Sequence, residues 1–447
     1  MKKTLIILLA AFFSAYAYAQ VYQGVHTSCY YPLQNIYNQP ADLIFSNYKW
    51  NINVLSPQVS LVNNIAFNES DFLKALGRVG FNDLKYFLAS DQTLLLATGH
   101  MMLPSVSYRI NSKHAVAFST NLRVDGIYKS SNDEITNLFR GYDNPDILND
   151  LSDEHFQSVV NQWMEYSLSW SGILWDKGEH IVSGGANLKY LVGGGSGYVD
   201  LDGIKVMYGK EKIDYFEVNV SYAINNNLRE TIDDGKVDLF GDNGLGIDLG
   251  VAYRYKPEGE VNIPYKYKLG LLIGDLGYIK HSKDVERSTF KVSVHDVPYS
   301  RFEGIESFEA LVDSLHNSVD IQEINSKAYR MNLSTTFAVT ADYCFHPNWY
   351  INGLISYQPG YYQNLLNVVN NNIWKVNLTP RFENKTWGAY LPITSSTIVT
   401  KVGLAMRWKY LFIGSSTFVS NLFKPEAGRG EMYFGINIPI GKLDDNY

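Results

Sequence analysis

Charged residues recur on one face of segments in which polar and apolar residues alternate. Arg407, for example, stands between Met406 and Trp408. Neighbouring residues of a β-strand point to opposite faces, so charges at alternate positions share one surface. If that surface encloses a lumen, unpaired charges line a water-filled pore, whereas paired charges close it. The charges that we predict to face such a lumen are Arg123, Asp125, Asp248, Arg254, Lys256, Asp342, Lys401, Arg407 and Lys409.

Both signs occur in this set, which favours paired charges and a largely occluded lumen. Sequence motifs of catalysis are missing: H-E-x-x-H, C-x-x-C, G-x-S-x-G and the phosphate-binding lysine motif do not occur. The run Gly193–Gly197 lacks a following lysine and indicates a flexible turn. The acidic cluster in residues 233–242 lacks the spacing of a calcium loop and indicates a solvated loop. We therefore expect no enzyme activity, no cofactor and no metal.

The elements that would position the charges are strands with two different faces. The clearest covers residues 398–410, with Leu404, Met406 and Trp408 on one face and three cations on the other. The alternation recurs in about fourteen to sixteen segments, a number that predicts an all-β, transmembrane, antiparallel β-barrel of about 14 strands. The other candidate strands include 94–110, 114–125, 162–176, 180–192, 203–209, 214–224, 246–256, 265–281, 287–297, 332–343, 348–358, 373–383, 386–394, 410–420 and 431–440.

The connections between these segments are unequal in length. Short polar turns, such as those at 111–113 and 176–178, alternate with longer segments, as expected for the two rims of a membrane barrel. Helical periodicity predicts short rim helices in residues 132–140, 152–162 and 305–319, and a shorter one at 70–76. Such helices either pack on the rim, which we favour, or dock a partner.

The N-terminus has the pattern of a secretion signal. Two lysines precede an apolar run, and Ala17-Tyr18-Ala19 forms a cleavage site before Gln20. The apolar run is too short to span a bilayer. The domains predicted from these features are a signal peptide at 1–19, a plug or periplasmic segment at 20–46, a barrel at 47–440 and a tail at 441–447.

Composition narrows the classes of partner. The formal net charge is −7, and no basic patch is evident that could neutralise nucleic-acid phosphates. The 33 tyrosines suit the interface between lipid and water, so outer-membrane lipid is the expected partner. Cys29 and Cys344 could pair in an oxidising compartment, but the sequence leaves this open.

Residues 20–46 lack strand alternation, and the lumen of a 14-strand barrel is wide enough to need filling. We therefore predict that Asn38, Pro40 and Ala41 belong to a plug, with a disordered periplasmic arm as the alternative. Asn38-x-Pro40-Ala41 resembles the N-P-A element of FadL-type fatty-acid channels and PorV-like barrels, with Gln39 inserted.

Three further segments resemble a family of uncharacterised Bacteroidota outer-membrane barrels. They are residues 113–118, 163–170 and 184–191. Many members carry an OmpA-like peptidoglycan-binding domain, and because only seven residues follow Ile440 we expect no such anchoring here. The resemblance implies a Gram-negative outer-membrane protein of one of two classes. The first passes hydrophobic or small molecules in a FadL-like way, and the second is a scaffold that binds envelope protein subunits.

Overall fold

The computed structural model describes residues 21–63, 65–66, 87–88, 93–131, 151–209, 212–260, 263–298, 328–359, 373–397, 399–423 and 429–443. Most of these residues are in β-strands. No helix in these ranges is long and apolar enough to cross a membrane. The predicted signal peptide and the predicted helices at 70–76, 132–140 and 305–319 lie outside the described residues.

The strands are β1 (Tyr48–Asn63), β2 (Ile65–Ala66), β3 (Phe87–Leu88), β4 (Thr93–Met102), β5 (Ser105–Arg109), β6 (His114–Ser130), β7 (Leu151–Lys177), β8 (His180–Tyr208), β9 (Lys212–Asn225), β10 (Asn243–Tyr255), β11 (Tyr267–His281), β12 (Val285–Pro298), β13 (Tyr329–Asn332), β14 (Thr336–His346), β15 (Trp349–Gln358), β16 (Ile373–Glu383), β17 (Trp387–Tyr390), β18 (Ile393–Ser396), β19 (Thr400–Val402), β20 (Leu404–Trp408), β21 (Leu411–Ser415) and β22 (Arg429–Lys442). The helices are α1 (Pro32–Asn35), α2 (Asn226–Asp234) and α3 (Phe418–Phe423), and two 3-10 helices cover Val25–Thr27 and Pro40–Phe45.

The strands close into a barrel with fourteen positions around its wall. Every pairing is antiparallel, and β22 closes the barrel by pairing with β1, as in the register of Trp50 with Ile440. Four positions are shared by two consecutive strands, namely β4 with β5, β13 with β14, β17 with β18, and β19 with β20. β9 and β12 lie outside the fourteen, because β8 pairs with β10 in its first part and with β9 in its last. This confirms the predicted antiparallel barrel of about 14 strands.

The wall is much taller on one side than on the other. β8 has 29 residues, whereas β15 has 10. At ~3.3 Å per residue β8 measures roughly 90 Å, although about ten residues suffice for a tilted barrel strand to cross a bilayer. The surplus forms a sheet in which residues 197–208 of β8 pair with β9, and β9 pairs with β12. We call this sheet the extension.

The outer face of the barrel is apolar because apolar and polar residues alternate along its strands, with the apolar ones pointing outward. On β20, Leu404, Met406 and Trp408 are exposed, whereas Ala405 and Arg407 are buried. A broad apolar face on a closed barrel is the surface that meets lipid. The outward apolar residues also include Leu168, Leu188, Leu245, Val251, Leu271, Val339, Ile355, Val376, Ile413 and Phe434.

Aromatic residues mark one edge of this apolar face. The edge lies beside the turns at 110–113, 178–179, 347–348, 384–386 and 409–410, which we call the short-turn rim. Cross-strand aromatic pairs occupy it, with ring centroids 6.0 Å apart for Trp387 and Trp408 and 4.2 Å apart for Trp50 and Tyr108. Such a girdle is typical of the boundary between hydrocarbon and headgroups.

Two predictions about local structure were wrong. Residues 152–162, predicted as a helix, continue β7, because their pairing with β8 outweighs local helical periodicity. The predicted turn Gly193–Gly197 lies inside β8, where a β-bulge adds one residue opposite Asn161–Trp163. Glycines occupy these positions because α2 and the loop after it pack closely on the strand: a Cβ at Gly197 would meet Leu228.

Candidate functional site

The lumen is filled by the N-terminal segment, residues 21–46, which we call the plug. Nearly all of its side chains are buried. Polar side chains of the wall hold its backbone: Asn187 Nδ2 donates to the Ile36 carbonyl at 2.9 Å, and Ser171 Oγ donates to the Ala41 carbonyl at 2.9 Å. The Tyr37 hydroxyl lies 2.6 Å from Ser119 Oγ. These hydrogen bonds hold the middle of the plug, while its apolar residues, such as Ile36, pack in one cluster with Met102 and Ala117 of the wall.

Glycines on three neighbouring strands make room for the middle of the plug. A Cβ at Gly185 on β8 would overlap the backbone of Pro40 and Ala41. A Cβ at Gly250 on β10 or at Gly270 on β11 would overlap the Gln39 side chain. The wall is thus shaped for residues 39–41, with Gly185 and Gly250 directly paired. The predicted plug residues Pro40 and Ala41 lie on this glycine surface, and Asn38 is buried beside it.

An ionic contact ties the end of the plug to the wall. The Asp42 carboxylate accepts hydrogen bonds from Arg254 at 2.9 Å and from Lys268 at 2.7 Å. The Arg254 guanidinium also stacks 3.5 Å from the centre of the Phe45 ring. All three charged side chains are buried, so loss of the carboxylate would leave two cations without their main partner.

A second ionic cluster lies deeper in the lumen. Arg123 binds Glu165 at 3.2 Å and Asp275 at 3.0 Å. Lys189 bridges Asp248 at 2.7 Å and the same Asp275 at 2.6 Å. Two cations thus share three carboxylates, and the Lys189 ammonium lies 5.1 Å from the ring centre of Tyr37 in the plug. The cluster connects five wall strands to the plug.

Further buried pairs lie on other strands of the wall. Arg381 binds Asp342 at 2.8 Å and Glu383 at 3.3 Å. The Glu383 carboxylate accepts from Ser28 Oγ at 2.8 Å, which links this group to the plug. Lys401 binds Glu431 at 2.6 Å.

Arg407 also faces inward. It donates to the Trp387 carbonyl at 3.0 Å and lies over the Tyr30 ring of the plug. Asp125 is buried on the lumen side of β6.

The prediction that Lys409 faces the lumen was wrong. Lys409 lies in the two-residue turn between β20 and β21, with a φ of 49°, and is exposed. Its ammonium lies over the Trp408 ring on the outside of the barrel. The alternation of inward and outward side chains ends where the strand ends, so it does not predict the direction of a residue in a tight turn such as Lys409. Lys256 likewise lies just beyond the end of β10 and is only half-buried.

Sequence reasoning missed most of the partners of these charges. Glu165 and Lys189 lie at alternating positions of predicted strands, so parity could have found them. Asp275 gave no such signal, because it lies at a β-bulge with a φ of 53° within an apolar stretch. The other missed residues are Asp42, Lys268, Arg381, Glu383 and Glu431.

A small cavity lies between the plug and the wall. A cavity of about 20 Å³ is lined by Val21, Gln58, His100, Arg123 and Glu431, and this volume holds little more than one water molecule. Since nearly all plug side chains are buried, the plug occludes the lumen, with the ion pairs of the wall arranged around it. Among the described residues, no group of three or more acidic, histidine or cysteine side chains is arranged to hold a metal ion.

The two cysteines remain separate thiols. Cys29 in the plug and Cys344 on β14 form no disulfide. Both contact one small cluster that also contains Tyr265 and Tyr350, and the Cys29 sulfur lies 3.6 Å from the Tyr265 hydroxyl.

Comparisons with known proteins identify a family but no activity. Residues 40–416 match DUF5723, a family of unknown function. No curated protein sequence matches.

Solved structures with a similar course of the chain are remote. They include a FadL homologue of Pseudomonas aeruginosa, with 9% identity, a TM-score of 0.45 and coverage of 96% of this chain and 98% of that one. The toluene transporter TbuX of Ralstonia pickettii has 8% identity, a TM-score of 0.41 and coverage of 90% and 92%. The translocator domain of the Neisseria meningitidis autotransporter NalP has 7% identity, a TM-score of 0.35 and coverage of 94% and 99%. Similarities this remote do not show a shared function.

Proposed function

Since the chain belongs to the DUF5723 family, whose function is unknown, we propose a function from its own lumen: a gated outer-membrane barrel that passes small molecules when the plug moves aside. The observation that carries the proposal is the set of polar and ionic contacts between plug and wall, which lies beside an apolar cluster that Met102, Phe412 and other wall residues form with the plug. The wall meets the plug with Ser119, Ser171 and Asn187, and with the cations Arg254 and Lys268.

Polar contacts of this kind can be exchanged for water. When a plug leaves, each exposed hydroxyl, amide or ammonium group regains hydrogen bonds from solvent, so the cost of opening is limited. The apolar wall residues that also contact the plug, such as Met102 and Phe412, become exposed to water at a cost of ~25 cal/mol per Å². Replacing buried ion pairs by apolar residues is often neutral or stabilising, so a permanently sealed barrel would have no need of Asp42, Arg254 and Lys268.

The same lining bears on the class of solute. Hydroxyl, amide and charged side chains line much of the lumen, together with apolar wall residues such as Met102 and Phe412, and the many polar groups favour small polar molecules. FadL-like passage of hydrophobic molecules stays a prediction from the sequence resemblance. The outer membrane is the location in which a closed bacterial barrel with an apolar outer face is stable.

A second candidate function is that of a scaffold for envelope proteins, and the extension favours it. Residues 197–208 of β8, β9 and β12 rise beyond the length needed to cross a bilayer. Apolar side chains of these strands pack against one another in one small core, and the outer faces of the strands carry Lys205, Glu217 and Lys291. A polar sheet outside the membrane is available to a protein partner whether or not the lumen opens.

The test compares two carboxylates that each hold two cations. Asp42→Asn removes the tie between plug and wall, and Glu217→Gln removes a carboxylate bound to Lys205 and Lys291 in the extension. The first change leaves buried cations unpaired when the lumen is closed, a cost of ~3–5 kcal/mol to that state. Since each 1.4 kcal/mol, roughly, changes an equilibrium constant tenfold, the open fraction should rise at least tenfold.

Single-channel recordings in planar bilayers measure this fraction. We expect frequent openings for Asp42→Asn and wild-type behaviour for Glu217→Gln. Liposome swelling with sugars and amino acids then tests passage of polar solutes. If both variants stay closed while assembling as heat-modifiable barrels, the gated function is wrong and the scaffold is favoured.

A further inference from the structure

The short-turn rim carries an excess of positive charge. With the side chains buried in the lumen left out, the described residues at these turns, at the connection 256–266 and at the two ends of the barrel wall comprise nine cations and four carboxylates, although the whole chain has a formal net charge of −7. The carboxylates are Asp176, Glu179, Glu258 and Glu260. The cations are Lys49, Arg109, Lys113, Lys177, Lys256, Lys266, Lys385, Lys409 and Lys442.

Four of these lysines are held against the aromatic girdle. Their ammonium groups lie over aromatic rings on the outer surface, at distances between 5.4 and 5.9 Å from the ring centres. Contacts of this kind keep a long side chain against the wall instead of free in water. The four pairs are Lys49 with Tyr108, Lys177 with Trp175, Lys266 with Tyr343, and Lys409 with Trp408.

Two features of this arrangement indicate its partner. The aromatic girdle lies at the level of lipid headgroups, so the ammonium groups beside it lie at the level of the phosphates. The four pairs are spread around the perimeter, on β1 with β5, on β7, on β14 and on β20. A compact macromolecule would touch one part of such a ring, whereas separate lipid molecules reach all of it.

We propose that the short-turn rim binds the phosphate groups of anionic phospholipids through these lysines. The opposite end of the molecule differs, since the described extension carries carboxylates at Asp200, Asp202 and Asp214, the last of them 3.7 Å from Lys212. The barrel therefore favours the leaflet richer in anionic phospholipid at its short-turn rim. Attraction between lysine and such a leaflet falls off with ionic strength.

The test uses the full chain in nanodiscs of phosphatidylcholine, with and without phosphatidylglycerol. Lys49→Gln, Lys177→Gln, Lys266→Gln and Lys409→Gln are combined in one variant. A matched control carries four substitutions in or beside the extension, at Lys205→Gln, Lys236→Gln, Lys283→Gln and Lys291→Gln. The measured quantity is the rise in unfolding temperature when phosphatidylglycerol is added, at low and at high salt.

We expect a rise for the wild type and for the control, a rise reduced by at least half for the rim variant, and loss of all rises at high salt. Equal rises in the two variants, or no rise in the wild type, would overturn the proposal. Native mass spectrometry of Lys409→Gln keeps the test decisive if the fourfold rim variant does not fold. Fewer bound phosphatidylglycerol molecules than in wild type supports the proposal, and an equal number contradicts it.

Discussion

The two parts of β8 use the same alternation of residue types in opposite ways. In the barrel part, Leu188 and Tyr190 point outward and are 57% and 47% exposed. In the extension part, Ile204 and Val206 point into a cluster with β9 and β12 and are 3% and 0% exposed. One strand therefore has an apolar face that meets lipid along one stretch and an apolar face that forms a small core along the next.

Irregular backbone separates the two parts. The bulge in Gly193–Gly197 adds one residue, and a second shift between Asp202 and Lys205 contains Gly203 at a φ of +64°. Each added residue moves the following side chains to the other face of the sheet. Alternation thus identifies a strand, but strand length and bulges decide whether its apolar face meets lipid or protein.

The largest expected difference between the two parts comes from placing arginine on each. Leu188→Arg puts a charge into the lipid-facing surface and should cost ~2–4 kcal/mol of barrel stability. Met207→Arg changes a residue of similar exposure, 52%, in the extension and should stay within ~0.5 kcal/mol, because water solvates it there. Urea unfolding in detergent or liposomes measures both. Equal costs would mean that the two surfaces face the same medium.

A smaller effect is expected from trimming the core of the extension. Val292→Ala removes two methyl groups from a fully buried site on β12 and should cost about 2 kcal/mol. Val251→Ala on the outer face of β10 is the control, since lipid replaces the lost contacts. Hydrogen exchange should rise in β9 and β12 for the first variant alone, while both keep heat-modifiable migration. Exchange that rises through the whole barrel would show that the extension is not a separate unit.

The smallest effect concerns pH and the junction of β11 with β12. Burial alone would raise the pKa of Asp242, but hydrogen bonds from the backbone N–H groups of Lys283 and Ser282 outweigh it and hold the pKa below its usual value. The carboxylate therefore stabilises the junction above its ordinary pKa of ~3.9, and this stabilisation is lost as pH falls below that value.

Comparison with Asp242→Asn isolates this contribution, because intrinsic exchange rates cancel between the two proteins at each pH. Amide protection of residues 282–283 should exceed that of the variant at neutral pH, by about 1 kcal/mol, and the difference should shrink as the pH falls through the lowered pKa of Asp242. A difference that persists unchanged into acid would assign the protection to something other than the ionised carboxylate.

The sequence predicted what depends on local pattern. The alternation of residues 398–410 placed Leu404 outside and Arg407 inside, and the number of such segments predicted the closed barrel. Partners of buried charges were beyond its reach, because Asp42 and Lys268 are brought together across 226 residues by closure of the barrel. The extension was missed for a related reason: β9 alternates like its neighbours, and only its pairing with β12 shows that it leaves the wall.

The central claim is that the plug, and not the wall, seals a lumen that can otherwise conduct. The most direct test is single-channel conductance of a variant that lacks residues 21–45, with assembly checked by heat-modifiable migration. The account predicts an assembled barrel with a steady, ohmic conductance that wild type lacks, because the space filled by the plug becomes water. An assembled variant that conducts no more than wild type would contradict it, since the side chains of the wall would then close the lumen by themselves.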